Sequence, residues 1–133
     1  MGQTLHELTL DHLVFRVRDL TATRSFYGKL FGEPLSENED SLMYRVGEAR
    51  LFFTPAPETN HAPYNKEQPG LNHFAFGVSS LACLREILNQ LNIARLEHSG
   101  IRIDGYGKRE FIWLDDPDGF RLEFYFRPTD STD

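Results

Sequence analysis

Apolar and polar residues alternate over residues 9–17, with Leu13, Phe15 and Val17 on one side and His12, Val14 and Arg16 on the other. That is the period of a strand with one buried face. From Leu20 the spacing lengthens. Phe26, Leu30 and Phe31 recur at helical intervals up to residue 31, Asp19 or Thr21 can cap the start, and Gly32 ends the run. Residues 41–46 and 50–54 read as a hairpin around Gly47-Glu48. The stretch 55–70 holds Pro55, Pro57, Pro63 and Pro69 and few apolar residues, the composition of a linker.

The pattern then restarts. Residues 71–78 form a strand with Phe74, Phe76 and Val78 opposite His73, Ala75 and Gly77. Residues 81–91 form a helix whose stripe is Leu84, Ile87, Leu88 and Leu91. Strands follow at 111–114 and 120–126, joined by the turn Asp115-Asp116-Pro117-Asp118-Gly119. His12 and His73 lie 61 positions apart, each near the start of its strand. Asp19-Leu20 precedes one helix as Ser80-Leu81 precedes the other, and Arg50-Leu51-Phe52-Phe53 matches Arg121-Leu122-Glu123-Phe124 at an offset of 71. The chain therefore reads as one domain over 1–133 made of a duplicated strand–helix–strands unit. The copies are 9–54 and 71–126, with 55–70 between them.

The two-residue period sorts the strands shared by both copies. Leu13, Phe15, Val17, Leu51, Phe53, Phe74, Phe76, Val78, Leu122, Phe124 and Phe126 share a face that is wholly apolar and must pack on the helices. The opposite face carries His12, Arg16, Arg50, Thr54, His73, Arg121, Glu123 and Tyr125. Two histidines at equivalent repeat positions, with a carboxylate on the last strand, supply the imidazole and carboxylate donors that suit Fe(II), Zn, Ni, Mn or Co. Three such ligands leave coordination positions open, as catalytic sites do and closed structural zinc sites do not. Arg121 and Tyr125 share the Glu123 face and are candidates to orient a substrate. Tyr106 lies between Gly105 and Gly107 on a loop that can cover the site. Phe52, Trp113, Tyr44 and Phe111 are candidates to line a cavity. His6, His61 and His98 read as surface residues.

Composition narrows the function classes. A formal net charge of −6 argues against a basic nucleic-acid-binding face. The single cysteine, Cys83, excludes an internal disulfide and a thiolate metal cluster. No apolar run reaches the ~18 residues of a membrane span, and no apolar leader follows Met1, so the expected location is cytoplasmic.

The residues that carry these features also carry a family resemblance. Leu10-Asp11-His12-Leu13-Val14-Phe15-Arg16-Val17-Arg18-Asp19-Leu20, Ser25-Phe26-Tyr27 with Leu30-Phe31-Gly32, Leu71-Asn72-His73-Phe74-Ala75-Phe76-Gly77-Val78 and Asp116-Pro117-Asp118-Gly119-Phe120-Arg121-Leu122-Glu123-Phe124 resemble the vicinal oxygen chelate superfamily. That superfamily includes glyoxalase I, extradiol dioxygenases, fosfomycin-resistance enzymes and bleomycin-binding proteins. The resemblance implies an α+β fold of two βαβββ modules in tandem, forming a cupped, partly open mixed sheet with helices on the outer face. It implies one divalent metal ion per site, held by His12, His73 and Glu123. It also implies a small-molecule substrate bearing oxygen, and a homodimer in which modules can be exchanged between subunits. The fourth ligand address falls on Phe52, which cannot ligate. This departs from glyoxalase I, and three ligands resemble the dioxygenase and fosfomycin branches; the function the resemblance implies is a divalent-metal-dependent enzyme with dioxygenase-like or lyase chemistry. A fosfomycin-type thiol transferase or a bleomycin-type binding protein is the alternative.

Overall fold

A computed structural model describes residues 7–129; His6 lies outside them. The chain divides into two compact units, Met1–His61 and Ala62–Asp133. The first holds strands β1 (His12–Val17), β2 (Ser36–Asn38), β3 (Ser41–Val46) and β4 (Ala49–Pro55), with helix α1 (Leu20–Phe31) between β1 and β2. The second holds β5 (His73–Val78), α2 (Leu81–Ile93), β6 (Arg102–Ile103), β7 (Glu110–Asp115) and β8 (Arg121–Phe126). Each unit is a βαβββ module, and the class is α+β as expected.

Both sheets are mixed and wired alike. The orders are β1-β4-β3-β2 and β5-β8-β7-β6, so the first strand of each module lies parallel to its last. Helical crossovers are what such parallel neighbours require. The helices cover one face of each sheet, α1 against β3 and β4, α2 against β5, β7 and β8. That face is the apolar one: Val17, Phe53 and Leu122 are fully buried.

The helix starts and stops are chemical. The Asp19 carboxylate accepts from the Thr21 and Ala22 N–H groups at 2.9 and 3.3 Å, so Asp19 is the cap of α1 and Thr21 is not. Ser80 does the same for α2, accepting from the Cys83 N–H at 3.1 Å. The centre of the α1 stripe is Thr23 and Tyr27, both fully buried, with Phe26, Leu30 and Phe31 half-buried beside them. The Tyr27 ring lies 4.4 Å from Phe53, and burying a ring of that size contributes about 2–3 kcal/mol.

Two strands have no counterpart in the sequence reading, β2 and β6. Part of the proline-rich stretch is also built into the second unit. The Tyr64 N–H donates to the Asp118 carbonyl at 3.0 Å, its hydroxyl donates to the Leu71 carbonyl at 2.7 Å, and its ring lies 4.9 Å from Phe120. The turn it rests on is held by the buried Asp116, whose carboxylate accepts from the Asp118 and Phe120 N–H groups at 2.9 and 3.0 Å. No described helix is long and apolar enough to cross a membrane.

Candidate functional site

The open face of the second sheet carries the site. Alternation along β5 puts His73, Ala75 and Gly77 on it, and along β8 Glu123 and Tyr125, with Arg127 next in step. Ala75 sits directly opposite Glu123 in the β5–β8 register, so His73 and Glu123 are diagonal neighbours. The His73 Nε2 lies 3.6 Å from a Glu123 carboxylate oxygen. Two ligands bound to one ion at metal–ligand distances of ~2 Å sit about 3–3.5 Å apart, so this pair needs little movement to share a metal.

Each histidine has an oxygen acceptor built in just before it. The Nδ1 of His73 faces the Asn72 side-chain oxygen at 2.8 Å, and the Nδ1 of His12 faces the Asp11 carboxylate at 2.7 Å. Hydrogen at Nδ1 leaves the Nε2 lone pair for a metal, the usual role of such second partners. The His12 imidazole draws the Asp11 carboxyl below the ordinary carboxylate range by the same hydrogen bond.

His12 is on the first unit, and its environment differs. Phe52 stands opposite Val14 in the β1–β4 register as Glu123 stands opposite Ala75 in the second sheet. The expected fourth ligand address is thus filled by a phenyl ring, edge-on to the His12 ring at 5.7 Å. Among the described residues, no three His, Cys, Asp or Glu side chains converge as a metal-binding group. The structure brings together two of the three expected ligands, His73 and Glu123.

A cavity of about 550 Å³ opens beside them. Phe111 and Tyr125 line it as a stacked pair, with centroids 6.1 Å apart and planes 26° off parallel. The loop after β6 closes one side. The Tyr125 hydroxyl donates to the Asp104 carboxylate at 2.7 Å, and the N–H groups of Tyr106 and Gly107 donate to the same carboxylate at 3.2 and 3.1 Å. These hydrogen bonds, the Tyr125 one foremost, hold the Asp104 carboxyl below its usual range. A side chain at position 107 would collide with the Tyr125 hydroxyl, so only glycine lets the loop come this close. Glu123 is pushed the other way: burial raises its carboxyl and Asp104 adds to the rise, against His73 and Arg121.

Of the other residues singled out in the sequence, Tyr106 lines the cavity and is 98% exposed. Arg121 and Trp113 do not line it. The Arg121 guanidinium lies 3.7 Å above the Trp113 ring and binds both oxygens of Asp115 at 2.8 and 3.1 Å. Tyr44 is buried in the first core, 6.3 Å from Tyr27. His61 is exposed. His98 is not a plain surface residue: Asn92 holds its Nε2 at 2.7 Å and the Gly100 N–H its Nδ1 at 2.9 Å. The sequence reading passed over Asp104 and Arg127. Strand parity with Glu123 and Tyr125 points to Arg127; Asp104 has no such signal, because its partner is 21 residues away.

A model of the Glyoxalase/Bleomycin resistance protein/Dioxygenase superfamily matches residues 9–124. The chain belongs to that superfamily. Among curated relatives, Glyoxylase I 4 of Arabidopsis thaliana is 28% identical over 133 residues, covering 92% of this chain and 72% of its own. Metallothiol transferase FosB of Lysinibacillus sphaericus (strain C3-41) is 29% identical over 119 residues, covering 88% and 81%. Among solved structures, the glyoxalase family protein from Enterococcus faecalis superposes with a TM-score of 0.72 at 27% identity, covering 88% of this chain and 96% of its own. The two βαβββ modules are therefore the superfamily's fold, and the matched segment contains His12, His73 and Glu123.

Proposed function

We propose that this superfamily member is a divalent-metal-dependent enzyme acting on a small oxygen-bearing substrate that coordinates the metal. Its ligands are His73 and Glu123 of a second module and His12 of a first module, supplied within the chain or by exchange in a homodimer, in the cytoplasm. The observation that carries this reading is the 3.6 Å approach of the His73 Nε2 to the Glu123 carboxylate in the lining of a cavity. The acceptors Asn72 and Asp11, each on an Nδ1, support it by leaving Nε2 as the donor on both rings. Fe(II), Zn, Ni, Mn and Co suit this donor set.

Bound there, the metal supplies Lewis-acid polarisation of a substrate oxygen or, as Fe(II), a centre for O₂ chemistry. The chain's own residues bind and orient. Phe111 and Tyr125 give a flat apolar wall. Asp104 fixes the Tyr125 hydroxyl and the Tyr106 loop. The phenyl ring of Phe52 offers no proton-transferring group at the address where a carboxylate would shuttle protons. That favours a metal-centred reaction such as dioxygenase-like ring cleavage over proton shuttling. A second reading, metal-dependent transfer of a thiol, draws on the likeness to metallothiol transferase FosB.

The test is metal stoichiometry in chelator-free protein reloaded with each ion, followed by turnover assays on catechols, thiol hemiacetals of 2-oxoaldehydes, and thiol addition to an epoxide. One ion per site and loss of most metal affinity in His73→Ala are expected. Full metal affinity in His73→Ala, or no stoichiometric metal in the reloaded protein, overturns the reading.

A further inference from the structure

The residues behind the two histidines differ in one respect. An ionised carboxylate accepts with either oxygen, so Asp11 faces the Nδ1 of His12 as an acceptor however it turns. The Asn72 amide has one accepting end and one donating end, and only the first leaves a proton on the His73 Nδ1. The segment before β5 decides which end is presented. The Asn72 Nδ2 donates to the Lys66 carbonyl at 2.9 Å, and a carbonyl only accepts, so Oδ1 is the atom that meets His73 at 2.8 Å. Glu67 is a second acceptor beside the amide nitrogen: hydrogen bonds from Lys66 first, and from Asn72 as well, hold its carboxyl below the ordinary range. The Lys66 carbonyl is itself set by a turn. The Asn65 side-chain oxygen accepts from the Glu67 N–H at 3.0 Å, and the Asn65 carbonyl accepts from the Gln68 N–H at 3.2 Å. Tyr64 fastens the start of that turn to the second unit through its N–H, which donates to the Asp118 carbonyl.

We infer, on the reading of His73 as a metal ligand, that residues 64–68 are a positioning segment for the site and that Asn72 is the positioning residue through which they act. The turn holds the Asn72 amide in one orientation, and the amide holds the His73 proton on Nδ1. The Nε2 atom, 3.6 Å from the Glu123 carboxylate, is then left as the donor atom. Asn65, Asn72 and His73 are exposed, so packing restrains this amide less than its hydrogen bonds do. The first module needs no such turn, because the Asp11 carboxylate accepts in any orientation. The proline-rich stretch between the modules thus contributes to the chemistry of a ligand and is more than a connection.

The readout is the tautomer of His73 in the metal-free full chain, taken from long-range proton–nitrogen NMR correlations at about pH 9, where an imidazole is neutral. The signal is assigned by its loss in His73→Ala. Wild type is expected to show the Nδ1–H form. Asn65→Ala, which removes the side-chain acceptor of the turn, is expected to add the Nε2–H form to it. Asn72→Asp is expected to keep Nδ1–H, and the double variant Asn65→Ala with Asn72→Asp to restore it, because a carboxylate needs no orienting. A merely structural role of Asn65 gives no such rescue. Asn72→Ala is expected to lower Ni(II) affinity about tenfold, the low end of what loss of such a partner costs. An Nε2–H form in wild type, a tautomer indifferent to Asn65→Ala, a double variant that fails to restore Nδ1–H, or stoichiometric Ni(II) held with unchanged affinity by Asn72→Ala overturns the proposal. A tautomer that follows Asn65 and Asn72 in a protein that takes up no Ni(II) refutes the metal reading and leaves the positioning of His73 standing.

Discussion

Where the second module carries Glu123, the first carries Phe52, and the identical register of the two sheets makes these the same address. A phenyl ring has no lone pair with which to ligate a divalent cation, and it meets the His12 ring edge-on at 5.7 Å. Phe52 is only half-buried, so a polar replacement does not strand a charge in the core. Phe52→Glu is therefore expected to restore a fourth ligand and to tighten divalent-metal binding by at least about tenfold, read by competition with a coloured chelator. Affinity equal to wild type would mean that Phe52 does not face the metal.

At the scale of elements, the loop between β6 and β7 closes on itself through backbone hydrogen bonds between Asp104 and Arg109 and between Lys108 and Asp104, and the Asp104 carboxylate ties it to β8. Asp104 is lowered by the Tyr125 hydroxyl and two backbone N–H groups, so the ionised form is favoured in the folded state. A depressed carboxyl contributes its stability above its unfolded value, about 3.9, and loses it as pH falls through the lower folded value. The Tyr106 and Gly107 amides are thus expected to stay protected from hydrogen exchange at neutral pH and to lose protection below about pH 4. Tyr125→Phe is expected to move that loss toward neutral pH. A protection factor for these amides that does not change with pH would refute the role of Asp104. Elements of this kind are also where the sequence was hard to read. The long strands and both helices announced themselves by period, and the His73–Glu123 pair followed from the repeat. Ser36-Glu37-Asn38 and Arg102-Ile103 are short, exposed sheet edges with no buried face to impose alternation, so β2 and β6 left no pattern. Arg127 stands one residue past the last predicted strand position, and the bond from Tyr125 to Asp104 joins distant residues that no local periodicity connects.

Over the whole molecule, duplication set the scaffold and divergence set the chemistry. Each module buries its own core, around Tyr27 and Phe53 in the first and Leu84, Ile112 and Leu122 in the second. The open faces have drifted apart: Phe52 against Glu123, and Asp11 against Asn72 behind the two histidines.

The stack of Arg121 on Trp113 removes both residues from the cavity, but it places the chain's single indole directly across the strand pair from Glu123. The protein thereby carries its own optical reporter. Every photon of tryptophan emission originates one residue from the proposed coordination sphere. Cobalt, nickel or iron titrated into the chain is expected to quench that emission in step with occupancy, and Glu123→Gln to flatten the curve. A Trp113 signal indifferent to a metal that binds stoichiometrically would place the ion elsewhere on the chain.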